Sequence, residues 1–335
     1  MIRDVTSLRD IRPSVLDLSP VVSGSDAAAA LRNTLDLARH TEALGYHRYW
    51  LAEHHNMPGI ASSATAVLIA HVADATSRIR VGSGGVMLPN HAPLVVAEQF
   101  GTLEALHPGR IDLGIGRAPG TDPRTARALR GSASMGVEDF PQQLRELLTY
   151  FEPDPARAVN AVTAEGNRPP VWLLGSSGYS AQLAGALGLP FSFAHHFAAE
   201  NTLPAVRLYR ESFRPSPVLA EPYVMLGAAV VCAETDERAR WLAAPSGLTF
   251  LSLRKGRPIP LPTPEEAAEY PYTDVDRAFL EQRQASNVVG SPETVRKGLE
   301  ELANDTGADE LMVTTMVYDH EDRKRSYELV AELLN

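Results

Sequence analysis

The chain has 335 residues, enough for one large domain or two ordinary ones with a sizeable buried core. Its 31 Lys and Arg against 41 Asp and Glu give a formal charge of −10, which argues against a nucleic-acid or anionic-membrane footprint. The composition, 44% hydrophobic and 21% charged, is that of a globular protein, and the single Cys232 excludes an intramolecular disulfide, a Cys-rich zinc site or an iron–sulfur cluster held by this chain alone.

In chain order, Met1–Pro13 is too charged for a signal-peptide core, and no apolar run reaches membrane-spanning length, so the expectation is a cytoplasmic protein. Ser14–Leu18 reads as a strand. Ala27, Leu31, Leu35 and Ala38 then fall on one face of a helix that Ser25 or Asp26 can cap and Gly45 ends. Arg48–Glu53 is a short buried strand leading into His54, His55 and Asn56, followed by a small-residue helix to about Ala75 and the strand Ile79–Gly84. Val96, Phe100 and Leu103 mark a third helix, stopped by His107-Pro108-Gly109. Ile111–Gly116 is the fourth strand, with a helix near Val137–Tyr150 beyond a Pro- and Gly-rich excursion. Strands at Val171–Gly175, Phe191–Ala194 and Val224–Cys232 alternate with helices at about Tyr179–Leu187 and 198–213. The last unit has Ser291 as N-cap, Pro292 in the first turn, Val295, Leu299 and Leu302 on one face, the strand Glu310–Thr314, and a closing helix.

Eight strands, mostly followed by helices, predict a single-domain (β/α)₈ TIM barrel over residues 1–335, with a doubly wound open sheet as the rival. The weakly patterned stretch 243–285 is expected to be an insertion before the last strand, either a substrate wall or an inert surface excursion.

In a barrel, chemistry belongs at the C-terminal strand ends. There the sequence places Glu53-His54-His55-Asn56, then Gly82-Ser83-Gly84-Gly85 with Asn90 and His91 beyond. Next come Gly114 to Gly120 with Arg117, and finally the run Gly175 to Ser180. That last run suits an anion: Ser176, Ser177 and Ser180 offer hydroxyls and the following helix its N-terminus. Arg117 adds a bidentate, permanently charged partner for phosphate. A serine-capped helix and a surface arginine would be the ordinary reading of either alone; on adjacent strands they favour a phosphate-bearing ligand. At most one of His54 and His55 is expected to face a pocket, where it would serve as a proton handler, because neighbours on a strand point to opposite sides, and His195-His196 repeats the pattern. Pro119 interrupts a dinucleotide-binding glycine motif after Gly114 and Gly116. A metal-dependent hydrolase using His54, His91 and His195 lacks the carboxylate–histidine spacing such sites use, so no metal is expected.

These clusters, in this order, resemble the luciferase-like flavin-dependent monooxygenase family. The carrying stretches are Gly45-Tyr46-His47-Arg48-Tyr49-Trp50-Leu51-Ala52-Glu53-His54-His55-Asn56, the run Arg80 to His91, the run His107 to Arg117, and Val289-Gly290-Ser291-Pro292-Glu293. The resemblance spans essentially the whole chain and is closest to single-chain FMN-type oxidoreductases. It implies that His54 supports the oxygen chemistry of the flavin. It further implies that Gly84 and Gly85 are joined by a non-proline cis peptide beneath the flavin ring. The phosphate cradle would comprise Arg117, Ser176, Ser177, Gly178, Tyr179 and Ser180. The implied reaction uses reduced FMN and O₂ on a small organic substrate, with a separate flavin reductase and a homodimer as expected partners. Two other readings accompany it, F420-dependent hydride transfer and a non-catalytic flavin-binding protein. Gly116 and Ser176 stand where luciferase carries a cysteine and a glutamate, which argues against light emission and long-chain aldehyde oxidation.

Overall fold

A computed structural model describes residues 8–130 and 137–334. The first half contains β1 (Arg12–Asp17), α1 (Ala27–Ala43), β2 (Arg48–Leu51), α2 (Thr65–Ala75), β3 (Arg80–Ser83), β4 (Val86–Met87), α3 (Pro93–Leu106), β5 (Ile111–Gly116), α4 (Pro123–Arg130) and α5 (Phe140–Tyr150). Then follow β6 (Val171–Gly175), α6 (Gly178–Leu187), β7 (Phe191–Phe193), α7 (Thr202–Ser212) and β8 (Val224–Cys232). Between β8 and the last barrel strand lie α8 (Asp236–Arg254), α9 (Pro264–Glu269), α10 (Asp274–Gln284), β9 (Val288–Gly290) and α11 (Pro292–Thr306); β10 (Glu310–Thr314) and α12 (His320–Leu334) end the chain.

Eight parallel strands run in the order β10-β1-β2-β3-β5-β6-β7-β8, and β10 also pairs β8, which closes the sheet into a (β/α)₈ barrel. Two short strands beyond the expected eight, β4 and β9, extend β5 and β8 without entering the ring. Local signals set many ends. Asp26 is the cap of α1, accepting from the Ala29 amide at 2.7 Å, and Ser291 caps α11 ahead of Pro292. The helix expected from Val137 is regular only from Phe140, after a 3₁₀ turn.

The stretch 243–285 is more ordered than its composition suggests. α8 runs on through it to Arg254, and α9 and α10 each begin with a capping box, Thr263 with Glu266 and Thr273 with Asp276. Those threonine-to-acid spacings are visible in the sequence; a composition-based reading passes over them.

The barrel interior is packed. Strand alternation turns Leu16, Trp50, Trp172, Met225 and Met312 inward as one buried cluster, with Trp50 and Trp172 edge-to-face at 5.2 Å. Beneath them Asp112 accepts from Arg48 (2.7 Å), Arg80 (2.6 Å) and Trp50 Nε1 (3.1 Å), while Glu310 accepts from Arg48, Tyr223 and Ser14. Asp112 is fully buried. Burial alone would raise its carboxyl, but the two guanidinium groups more than offset this and hold it below the usual range. This plug closes the middle of the barrel, separating a depression at the N-terminal end, lined by Arg48, Arg80 and Tyr223, from the cavity at the opposite mouth.

Candidate active site

At the C-terminal mouth lies a cavity of about 310 Å³, within the range of small-molecule sites. Its floor is apolar, with Leu16, Leu174 and Met312 contributed by three strands. Around it stand His54, Gly84, Arg117, Ser176, Ser177 and Ser180, six of the nine residues singled out from sequence. The remaining three sit just behind. Gly85 follows a cis peptide bond from Gly84 and abuts the backbone of Gly114, Gly178 opens α6, and the Tyr179 ring carries the Arg117 guanidinium 4.2 Å from its centroid.

The serine-rich end of the cavity is built by α6. Ser177 is its N-cap, yet its side chain makes no capping bond, so the hydroxyl and the first helical amides are available to a ligand. Ser180 is buried in the first turn. A Cβ on Gly175 would come within 2.6 Å of the Ser180 Cβ, so only glycine lets β6 and α6 close this tightly. Among the described residues no carboxylate pairs with Arg117, which leaves its in-plane donors free while its face rests on Tyr179. Serine hydroxyls, helix amides and an unpaired arginine form a donor set suited to a phosphate.

The histidine end is built by the reversal after β2. Asn56 adopts the left-handed conformation (φ 56°), a region asparagine tolerates, and its side chain reaches Asp122 at 3.2 Å. His54 Nδ1 lies 3.2 Å from the carbonyl of Gly120, itself at φ 63° where a Cβ would strike Glu53 O at 2.9 Å. A carbonyl only accepts, so Nδ1 carries the proton and Nε2 of neutral His54 keeps its lone pair. Burial depresses the His54 imidazolium and favours this neutral form. His55 turns instead onto Glu53, at 3.0 Å.

Two residues gain importance from the structure. Glu53, fully buried, accepts from His91 (2.9 Å), His55 (3.0 Å) and the Met87 amide (3.0 Å), locking together the segments after β2 and β3. Burial pushes its carboxyl up, but the His91 and His55 hydrogen bonds outweigh this and hold it low. Sequence reading included Glu53 only as part of a cluster; its separation of 38 residues from His91 gives no local signal. His196, suggested from sequence as a mouth residue, lines the cavity with Nδ1 2.8 Å from Gly227 O, and burial lowers its pKa to about 4. His91 is engaged with Glu53, and His195 bonds Thr202 at 2.9 Å outside this cavity, so the three histidines of the metal alternative do not converge on it.

A closed parallel barrel with polar, titratable and glycine-rich segments at its C-terminal strand ends is an enzyme architecture. The chain belongs to the luciferase-like monooxygenase family, whose model matches residues 13–310. It is 48% identical to the luciferase-like monooxygenase of Escherichia coli K12 over 321 residues, 96% of each chain. It is 34% identical over 328 residues to the N-acetyl-S-alkylcysteine monooxygenase of Bacillus subtilis, covering 96% of this chain and 98% of that one. The solved structure of apo-MsnO8 superposes with a TM-score of 0.90 at 40% identity, covering 96% and 98%. The barrel alone admits more than one cofactor. It is shared at 19% identity (TM-score 0.70) with an FMN complex of the oxygenating constituent of 3,6-diketocamphane monooxygenase from Pseudomonas putida. It is also shared at 14% identity (TM-score 0.66) with an F420-dependent secondary alcohol dehydrogenase. Among the described residues no helix is long and apolar enough to cross a membrane.

Proposed function

We propose that this protein is an FMN-dependent monooxygenase that inserts one atom of O₂ into a small organic substrate and releases the other as water. The observation that carries this reading is the convergence, on one cavity, of His54, Gly84, Arg117 and the serine turn before α6. The two ends match FMN in kind: a charged donor set for its phosphate and an apolar space with glycine at the wall for its ring. Gly84 leaves room there, since a Cβ would come within 2.6 Å of Leu16.

Arg117, Ser176, Ser177 and Ser180 would hold the phosphate, and Leu16, Leu174 and Met312 would keep water from the ring. Bound reduced FMN would supply the electrons and the activation of O₂. His54 contributes a proton acceptor: its Nδ1–H is spent on Gly120, so Nε2 takes a proton from the cavity and returns it in the same turnover. His196 holds the same tautomer through Gly227 and offers a second neutral acceptor in the same cavity.

The test is a pair of equilibrium titrations of the purified protein with FMN and with F420. Tight FMN binding with weak F420 binding supports the proposal; the reverse order makes the protein an F420-dependent hydride-transfer enzyme. If neither cofactor binds below about millimolar, both readings are refuted. Reduced FMN supplied by a flavin reductase, with oxygen consumption measured against free reduced flavin, separates a monooxygenase from a passive flavin carrier.

A further inference from the structure

A second, larger cavity of about 670 Å³ adjoins the first, with His196 and Phe197 lining both. It lies between the segment after β7 and the chain running from α10 through β9 into α11. Its walls are aromatic at Phe197, Phe250 and Phe279, the last two stacked 13° from parallel.

Arg283 is the one permanent cation among the described residues lining this space. Its guanidinium lies face-on to Phe250, 3.6 Å from the ring centroid, which turns its N–H donors outward from the ring edge. Among the described residues it has no carboxylate partner, and its Nε is buried without any acceptor. Desolvation lowers its pKa to about 10, with no nearby anion to restore it. The acidic members of the lining, Glu200, Glu301 and Asp305, are all exposed to solvent and none bonds it. Asn287 Oδ1 is likewise buried and unpartnered, an acceptor free for an N–H. An unsatisfied buried donor is costly, and the half-buried guanidinium beside it carries a charge with no counter-charge among the described residues, which makes this pair an incomplete site that a ligand completes.

We propose that this cavity is the substrate chamber, and that the substrate is an organic carboxylic acid anchored by bidentate contact with Arg283. An N–H beside that carboxylate is received by Asn287, and the apolar remainder lies along Phe197 and His196 toward His54. The proposal rests on the monooxygenase reading for its direction of approach, while the anion site itself stands on Arg283.

The experiment is calorimetric titration of the protein with N-acetylphenylalanine and with N-acetylphenylalaninamide, which differ in the carboxylate alone. It is done with and without saturating FMN, whose own affinity is read separately by flavin fluorescence. We expect the acid to bind at least tenfold tighter than the amide, and equally so with FMN present. Arg283→Met, which keeps the stem packed on Phe250, is expected to abolish the preference, and Arg283→Lys to reduce it. Equal affinity for acid and amide, or binding of neither, overturns the proposal. So does a preference that survives Arg283→Met, or one that FMN removes, because the acid would then sit at Arg117. Absence of FMN binding defeats the monooxygenase reading alone and leaves the acid–amide comparison intact.

Discussion

Replacing Arg117 by alanine isolates the link between one side chain and one functional group of the cofactor. The guanidinium has no competing carboxylate among the described residues, so its donors are free to face a phosphate. A hydrogen bond to a charged group is worth about 1.5–3 kcal/mol net. Arg117 is partly exposed, which places the expectation at the lower part of that range, about 1.5–2 kcal/mol, or roughly 10- to 30-fold in affinity. Loss of the stacking on Tyr179 adds an effect of about 0.5–1 kcal/mol that has nothing to do with phosphate. Riboflavin, which lacks the phosphate, subtracts it. In a cycle of wild type and Arg117→Ala against FMN and riboflavin, the FMN penalty should exceed the riboflavin penalty by about 1.5–2 kcal/mol. Fluorescence titration measures all four affinities. Equal weakening of both ligands would show that Arg117 does not touch the phosphate and would refute the placement of the cofactor tail.

Three further outcomes are expected. His54→Ala should leave folding and FMN affinity intact while lowering substrate oxidation about 10²–10⁴-fold, as for loss of a proton-transferring group; unchanged turnover removes His54 from the chemistry. His196, held neutral by burial with its pKa near 4 against 6.5 in the unfolded chain, contributes stability that is complete above pH 6.5 and lost as pH falls toward 4. Its protonation should account for about 3 kcal/mol of that acid destabilisation, so His196→Asn should flatten the denaturant-midpoint profile across this window, and identical slopes would contradict the assignment. Gly114→Ala would drive a Cβ into the Ser83 carbonyl on the neighbouring strand, where backbone cannot yield, and should cost about 1–3 kcal/mol or more in urea unfolding; a neutral effect would mean that β3 and β5 separate easily.

Much of this molecule is local and therefore legible in its sequence. The β-branched and apolar runs at Val224–Cys232 and Ile111–Gly116 read as buried strands, and helix starts are marked by Asp26 and Ser291, which accept from backbone amides within one turn, and by Pro292, whose fixed φ suits the first turn. The motif clusters likewise fall at strand ends because each strand is followed directly by its turn. What a linear reading leaves open is set by neighbours distant in the chain. Closure of the barrel depends on β10 meeting β8 and β1, and pairing across such separations has no local code. Which of His54 and His55 faces the cavity follows from Gly120 and Glu53 taking one ring each, and Gly120 lies 66 residues from His54. The lone charge of Arg283 reads in sequence as one more arginine in the weakly patterned stretch 243–285. It becomes a candidate site only because folding sets Phe250 against it and, among the described residues, brings no carboxylate to it, a matter of three-dimensional proximity that composition does not encode.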